Sequence, residues 1–205
     1  MLTEEYPKEV TKVVFDISFK SYQPTTTCEW FTNMNNLKEI KNIEYLDTKL
    51  VTDMTNMFAW CKSLENLDVS RFNTANVTRM DGMFYRCESL ETLDLYSFDI
   101  RNVTDFTYMF SYCVSLQKIY VGNKNSNWNT SKVTYSTKMF LGCWELVGGS
   151  GTKYRNNTEN DDATYAHIDE EYYNPGYFTK IEKYDLWVCG TQVSELNWYD
   201  TFTAV

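Results

Sequence analysis

The sequence predicts an α/β protein in which short units stack into a right-handed solenoid capped at both ends. Three observations support this prediction: an internal period close to 26 residues, apolar residues three to four apart early in each unit, and an alternating pattern late in it. A unit of this length has too little apolar surface to fold alone, so neighbouring units must stack on one another.

The period is visible in four copies. Each copy contains a Met-Phe pair, and these pairs start at Met57, Met83, Met109 and Met139. A cysteine follows each pair, at Cys61, Cys87, Cys113 and Cys143. The steps are 26, 26 and 30 residues, and the four extra residues fall in the polar stretch 122–127. Residues 31–40 keep the spacing of an eroded earlier copy.

Each copy suggests one helix and one strand. In residues 50–75, Val51, Met54, Met57 and Cys61 recur every three to four positions, which predicts one face of a short helix. The L-x-x-L-x-V spacing that follows ends in an alternating run, which predicts a short strand. Such strands would form a parallel sheet through right-handed crossovers, which is the leucine-rich-repeat plan.

The remaining segments divide the chain further. Residues 1–26 are predicted to be an N-terminal cap, because residues 10–19 alternate as a strand does. The solenoid is predicted to span residues 27–146. Residues 147–179, rich in Gly, Asn and Asp, are interpreted as a C-terminal cap or loop-rich extension. Residues 180–205 form a tail and a candidate start of a further module.

Composition excludes several classes of function. A net charge of −9 argues against a nucleic-acid binder and against an anionic membrane surface. No apolar run is long enough to span a bilayer, so no membrane insertion is expected. The first ten residues lack the basic start and apolar stretch of a signal peptide, so a leader would lie outside this sequence.

The repeats resemble those of the BspA-like leucine-rich-repeat surface proteins. Residues 76–99 lie close to that family's N-V-T-x-M-x-x-M-F-x-x-C-x-S-L-x-x-L-D-L-S-x-F-D-T unit. Residues 13–23 and 151–179 resemble its usual beginning and end. The resemblance implies a leucine-rich-repeat solenoid at the cell surface or secreted, mostly in bacteria and associated with adhesion, and it carries over no catalytic residues. Phe106 and Ser136 depart from a mostly Met column.

The cysteines are interpreted as thiols. Four of them fall in one apolar column, where neighbouring helices, roughly 8 to 10 Å apart, would be too distant for a disulfide. Cys28 and Cys189 lie outside the column, and a bridge between those two is the alternative. The Asn-Val-Thr triplets at Asn76 and Asn102 match a glycosylation pattern, but we interpret them as residues that begin the helices.

We predict no catalytic residues, no cofactor and no metal. The single histidine, His167, has no Ser/His/Asp or Cys/His arrangement around it in the sequence. Five acidic residues of the tail are interpreted as a solvated loop, because their spacing is not that of a calcium-binding EF-hand. These residues are Asp161, Asp162, Asp169, Glu170 and Glu171.

Residues that differ from copy to copy mark the predicted binding face. Stacking would align Trp60, Arg86 and Tyr112, which precede successive cysteines, and these residue types are common in binding hot spots. A second predicted strip lies on the outer face of the strands. It comprises Asp68, Asp94, Tyr96 and Tyr120.

The leading functional hypothesis is a non-enzymatic surface adhesion module that binds a host or microbial surface protein through the solenoid face. The alternative is a carbohydrate-binding module of a secreted or surface bacterial protein, in which Tyr and Trp stack on sugar rings. A third hypothesis, a glycoside hydrolase, would use Asp68 and Asp94 as its two carboxylates. A repeat surface without a cleft argues against it.

Overall fold

A computed structural model describes residues 9–122, 127–155, 161–170, 174–181, 183–188 and 191–197. The strands in these ranges are β1 (Lys12–Val14), β2 (Glu39–Lys41), β3 (Thr92–Asp94), β4 (Lys118–Gly122), β5 (Phe178–Ile181), β6 (Lys183–Val188) and β7 (Thr191–Asn197). Short 3-10 helices span Ile17–Ser21, Ile43–Tyr45, Thr130–Lys132 and Ala163–Tyr165.

The strands form three small sheets. β1 pairs with β2 in parallel, and β3, β4 and β5 form a parallel sheet in that order. β6 and β7 form an antiparallel pair. Successive repeats are also joined by single parallel bridges, which run in turn through Thr26, Asp53, Arg79, Asp105 and Tyr135.

The predicted leucine-rich-repeat solenoid, with a helix and a strand in every unit, is wrong. The described residues contain no α-helix, and the segments predicted to be helical are runs of turns. Of the repeats between residues 50 and 146, only the two that contain β3 and β4 have a strand in the described ranges. The chain is a stack of turn-rich repeats rather than a clear leucine-rich-repeat solenoid.

The reason lies in where the backbone amides donate. The amides of Met57 and Cys61 donate to the carbonyls three residues earlier, at 3.2 and 3.1 Å, and so close tight turns. The amides of Asn56, Phe58 and Trp60 donate instead to carbonyls of the next repeat, at 2.9, 2.9 and 2.7 Å. An α-helix would need both sets for its own i to i−4 bonds. The turns therefore satisfy the backbone by bonding alternately within and between repeats.

Two positions in each repeat have a positive φ. One column consists of Glu29, Asn56, Gly82, Tyr108 and Lys138, with φ between 52° and 62°. The other, four residues later in each repeat, consists of Asn33, Trp60, Arg86, Tyr112 and Gly142, with φ between 59° and 78°. A left-handed residue cannot continue a right-handed helix. Both columns therefore exclude the helix that the apolar spacing predicts.

The core of the stack is made of columns of identical residues. Five phenylalanine rings lie one above another, with centroids 5.2 to 5.9 Å apart: Phe31, Phe58, Phe84, Phe110 and Phe140. The predicted burial of the cysteine column is confirmed. Each of its thiols donates to a phenylalanine carbonyl of the preceding repeat, at 3.0 to 3.3 Å.

The N-terminal segment is only partly extended. The alternating pattern predicts a strand through residues 10–19, but β1 ends at Val14. Asp16 then accepts a hydrogen bond from the Ser18 amide at 2.9 Å and caps a 3-10 helix, which turns Ile17 outward with 63% of its surface exposed. Phe15 points into the core beside Phe31.

The C-terminal segment covers the last repeat. No further repeat follows whose carbonyls could accept from the amides of the last repeat. Groups of the C-terminal segment accept these hydrogen bonds instead. The Asp161 carbonyl accepts from the Phe140 amide at 2.9 Å, and the Tyr154 hydroxyl accepts from the Gly142 amide at 3.1 Å. Burial raises the pKa of the Asp161 carboxyl.

The solvated acidic loop predicted for the tail is wrong for Asp161 and Asp169, which are both buried. The Asp169 carboxylate accepts from the amides of Ser150 and Thr152, each at 2.9 Å, and from the Thr152 hydroxyl at 2.8 Å. Gly148 lies so close that a Cβ there would stand 2.6 Å from Asp169 Oδ2. Enough local donors make burial of this charge tolerable, and the sequence pattern does not reveal them. Glu171 lies outside the described residues.

Nowhere in the described ranges is there a helix with the length and apolar character needed to span a membrane.

Candidate binding surface

The structure brings Trp60, Arg86 and Tyr112 into one contiguous group, which we call the aromatic row. The Arg86 guanidinium lies over the Trp60 ring at 4.5 Å from its centroid and over the Tyr112 ring at 4.6 Å. Cation–π contacts of this kind are worth roughly 0.5 to 1 kcal/mol at exposed sites. The alignment follows from stacking, because each residue occupies the same position in successive repeats.

Neighbouring side chains hold the Arg86 guanidinium in place. Its Nε donates to the Tyr85 hydroxyl at 3.3 Å, and its Nη1 donates to a Glu88 oxygen at 3.2 Å. These two acceptors raise the pKa of Arg86, the tyrosine more than the carboxylate. Lys62 pairs with the same Glu88 at 3.1 Å and lies over the Trp60 ring. The row is therefore a preorganised surface.

The backbone at the aromatic row is unusual for such large residues. Trp60, Arg86 and Tyr112 have φ values of 65°, 59° and 59°. A left-handed conformation costs a bulky residue roughly 1 to 2 kcal/mol more than glycine. The ends of the same column contain Asn33 and Gly142, the residue types that adopt it most readily. The large side chains are thus not what the backbone requires at these positions.

The second predicted strip is arranged differently. Asp68 and Asp94 each accept from the backbone amide two residues later, at Ser70 and Tyr96, both at 2.9 Å. These bonds fix the turn that follows each aspartate. Asp94 is paired with Tyr120 across β3 and β4, and the Tyr96 ring lies against Gly122. Both carboxylates thus have a role in turn formation, whatever else they contact.

Other candidate residues are placed as follows. Cys28, Cys61, Cys87, Cys113 and Cys143 have free thiols, while Cys189 lies outside the described residues. Burial raises the pKa of Cys61 and of Cys113 to about 12, so neither is a ready nucleophile. His167 Nδ1 lies 2.9 Å from the Ile168 carbonyl. Within the described part of the chain, no three or more His, Cys, Asp or Glu residues are grouped as metal ligands would be.

The asparagines of the Asn-Val-Thr triplets have a structural role. The side-chain amides of Asn76 and Asn102 donate to carbonyls of the preceding repeat, each at 2.9 Å. Because the segments are turns, these residues do not begin helices as predicted. They form another ladder that joins one repeat to the next.

Sequence reasoning missed a group beside the aromatic row. Asn56, Gly82 and Tyr108 occupy the other left-handed column, next to Tyr85 and Asp81. The signal was present, since Asn and Gly at equivalent positions of two repeats favour a left-handed backbone. The predicted helix is incompatible with a left-handed residue, so this column was not predicted.

A profile described as "Mycoplasma protein of unknown function, DUF285" matches residues 25–148, the part that contains the repeats. The chain belongs to this family. Its description states no function. Comparisons with curated proteins and with solved structures give no match. For this DUF285 member, the functional argument therefore depends on the surface just described.

Proposed function

We propose that the chain is a non-enzymatic interaction module that binds a protein partner through the aromatic row, at a bacterial cell surface or after secretion. The observation that carries the proposal is the presence of Trp, Arg and Tyr at the same left-handed position of three successive repeats. Asn or Gly would suit the backbone there at lower cost.

The energies support a role beyond stability. Three bulky left-handed residues cost roughly 3 to 6 kcal/mol together, from roughly 1 to 2 each. The two cation–π contacts of Arg86, with Trp60 and with Tyr112, stabilise the row by roughly 1 to 2 kcal/mol together, from the value for exposed sites. The two cation–π contacts by themselves therefore offset only part of the backbone cost. Retention of a costly conformation by half-buried side chains that the backbone does not require is typical of sites under functional selection.

The composition of the row favours a protein over a sugar. Trp, Tyr and Arg dominate the hot spots of protein interfaces, where they are packed in advance of binding. The Arg86 guanidinium covers one face of the Trp60 ring and one face of the Tyr112 ring. Those faces are not open to flat stacking of a sugar ring, which the carbohydrate-binding alternative would require at the row.

The test is binding of the chain to purified extracellular-matrix proteins immobilised on a sensor surface. The comparison is between the natural chain and the triple variant Trp60→Gly, Arg86→Gly and Tyr112→Gly, since glycine keeps the left-handed backbone. We expect saturable binding to at least one protein and a loss of about 100-fold in the variant, as hot-spot residues provide most of the binding energy.

The matched control is Asn33→Gly, which changes the same column outside the row. It should leave affinity unchanged. Equal binding by the triple variant and the natural chain would discard the row, and no saturable binding to any protein of the panel would contradict the proposed adhesion.

A further inference from the structure

A separate cleft of about 270 Å³ lies beside the aromatic row, on the same turns. It is lined by the other left-handed column and its neighbours: Asn56, Asp81, Gly82, Tyr85, Thr107 and Tyr108. This volume is just below the roughly 300 to 1,000 Å³ of pockets for drug-sized ligands. The cleft has room for one small ring.

The backbone keeps the cleft open at Gly82. This residue has φ of 62°, and a Cβ there would stand 2.1 Å from Asn56 Oδ1. A side chain at this position would displace the Asn56 amide from the wall of the cleft. The absence of a side chain thus leaves both the space and a polar group in place.

Two tyrosines form the aromatic side of the cleft. The rings of Tyr85 and Tyr108 have centroids 5.9 Å apart and are inclined at 54°. Tyr108 is 39% exposed and left-handed, with φ of 58°. As in the aromatic row, a large side chain is present where glycine would be less costly. Its ring contributes apolar surface to the cleft.

The carboxylate that lines the cleft is paired with a neighbour outside the lining. Asp81 accepts from Arg79 through both carboxylate oxygens, at 3.0 and 3.1 Å, and from the Thr55 hydroxyl at 2.9 Å. Lys138 lies over the Tyr108 ring at 5.9 Å. A cationic ligand would meet a carboxylate that is already paired and a second positive charge nearby. An uncharged ligand with several hydroxyl groups avoids both conflicts.

We propose that this cleft binds a single neutral sugar residue. A sugar ring has an apolar C–H face that fits against the Tyr108 ring. Lys138 leaves room for it, because its Nζ lies 5.9 Å from the ring centroid and the residue does not line the cleft. The sugar hydroxyls match the remaining acceptor capacity of Asp81, the Asn56 amide and the Thr107 hydroxyl. The proposal concerns a different site from the aromatic row, although Tyr85 lines the cleft and also accepts a hydrogen bond from Arg86 of the row.

The test is ligand-observed NMR with methyl α-glucoside, methyl α-galactoside, methyl α-mannoside and N-acetylglucosamine as probes. We expect saturation transfer to at least one of them, with a dissociation constant on the order of 1 mM for so small a contact. Choline serves as a cationic probe. If choline binds and no sugar does, or if nothing binds, the proposal is overturned.

Two variants locate the binding. Tyr108→Gly removes the ring and keeps the left-handed backbone, and it should weaken binding about tenfold or more. Thr107→Val keeps the shape and removes one hydroxyl, with a smaller loss of about three- to tenfold. Glu29→Gly, in the same column outside the cleft lining, is the control. Unchanged binding in Tyr108→Gly, with thermal unfolding like that of the control, would overturn the proposal.

Discussion

The repeat body and the C-terminal segment are stabilised in opposite ways. In the body, the same contact recurs in every repeat: a phenylalanine stack, a thiol-to-carbonyl bond and amides that donate to the next copy. In the C-terminal segment, the stabilising contacts are not repeated: buried residues such as Asp161 and Asp169 each accept hydrogen bonds that occur at one place. Periodic contacts spread the free energy of unfolding over many residues, whereas a unique buried carboxylate concentrates it.

Removing a ring from the middle of the phenylalanine column should have the largest effect on stability. Phe84 is fully buried between Phe58 and Phe110, with centroids at 5.9 and 5.7 Å. Phe84→Ala should cost about 3 to 5 kcal/mol, because it leaves a cavity and removes both stacking partners. Urea unfolding followed by circular dichroism measures this loss.

Phe31→Ala provides the comparison at the end of the column, where the ring has Phe58 on one side and Phe15, at 6.2 Å, near it. We expect a smaller loss. Equal losses at both positions would mean that the repeats do not share their stability as a stack.

Asp169→Asn tests the concentrated stability of the C-terminal segment. The carboxylate accepts from two backbone amides and one hydroxyl at 2.8 to 2.9 Å. The side-chain NH2 of an asparagine would face groups that are themselves donors, so at least one of them would be left without an acceptor. Each unsatisfied buried group costs roughly 1 to 3 kcal/mol, and we expect a loss of about 3 kcal/mol. Urea unfolding again gives the measurement.

Asp162→Asn is the matched control, because Asp162 caps a short, exposed 3-10 helix by accepting from the Thr164 amide at 2.8 Å and from the Thr164 hydroxyl at 2.6 Å. It should cost less than about 1 kcal/mol. If both variants are equally mild, Asp169 does not hold the segment together.

The smallest effect concerns pH, where the two regions should respond with opposite signs. Burial raises the pKa of Asp161, so its contribution to stability is present below the ordinary value of 3.8 and is lost as pH rises through the raised pKa. Pairing with Arg101 lowers the pKa of Asp99 in the body. Its contribution is present above 3.8 and is lost as pH falls through the lowered pKa.

Unfolding free energies of the natural chain and of two variants, measured from about pH 3 to about pH 7, separate these contributions. Asp161→Asn should lose less stability than the natural chain as pH rises. Asp99→Asn should lose less as pH falls. The same pH profile in all three proteins would refute both assignments.

Much of the repeat body could be predicted from the sequence, and the reason is periodicity. The columns of Met-Phe and Cys residues are buried as predicted, because identical residues at equal spacing must stack on equivalent neighbours. Equal spacing also predicts the alignment of Trp60, Arg86 and Tyr112. The insertion at residues 122–127 lies mostly outside the described residues.

The helix could not be excluded from the sequence. Apolar residues three to four apart fit a helix, and they fit equally a run of turns with hydrogen bonds to the third residue back. Asn56 and Gly82 favour the run of turns, because Asn and Gly adopt a left-handed backbone readily. Trp60 and Tyr112 argue against the run of turns, because aromatic residues rarely adopt the left-handed conformation that such turns need. The cleft was missed for the same reason, since it lies on this backbone.

The sequence by itself determined the repeat period, the identity of the buried columns and the set of side chains that vary between copies. Only the tertiary structure decided the conformation of each repeat. An amide can close a turn in its own repeat or donate to the next one, and that choice depends on a neighbour whose distance the local pattern does not contain. The burial of Asp169 was decided in the same way, by donors from residues 150 and 152 that reach it only after folding.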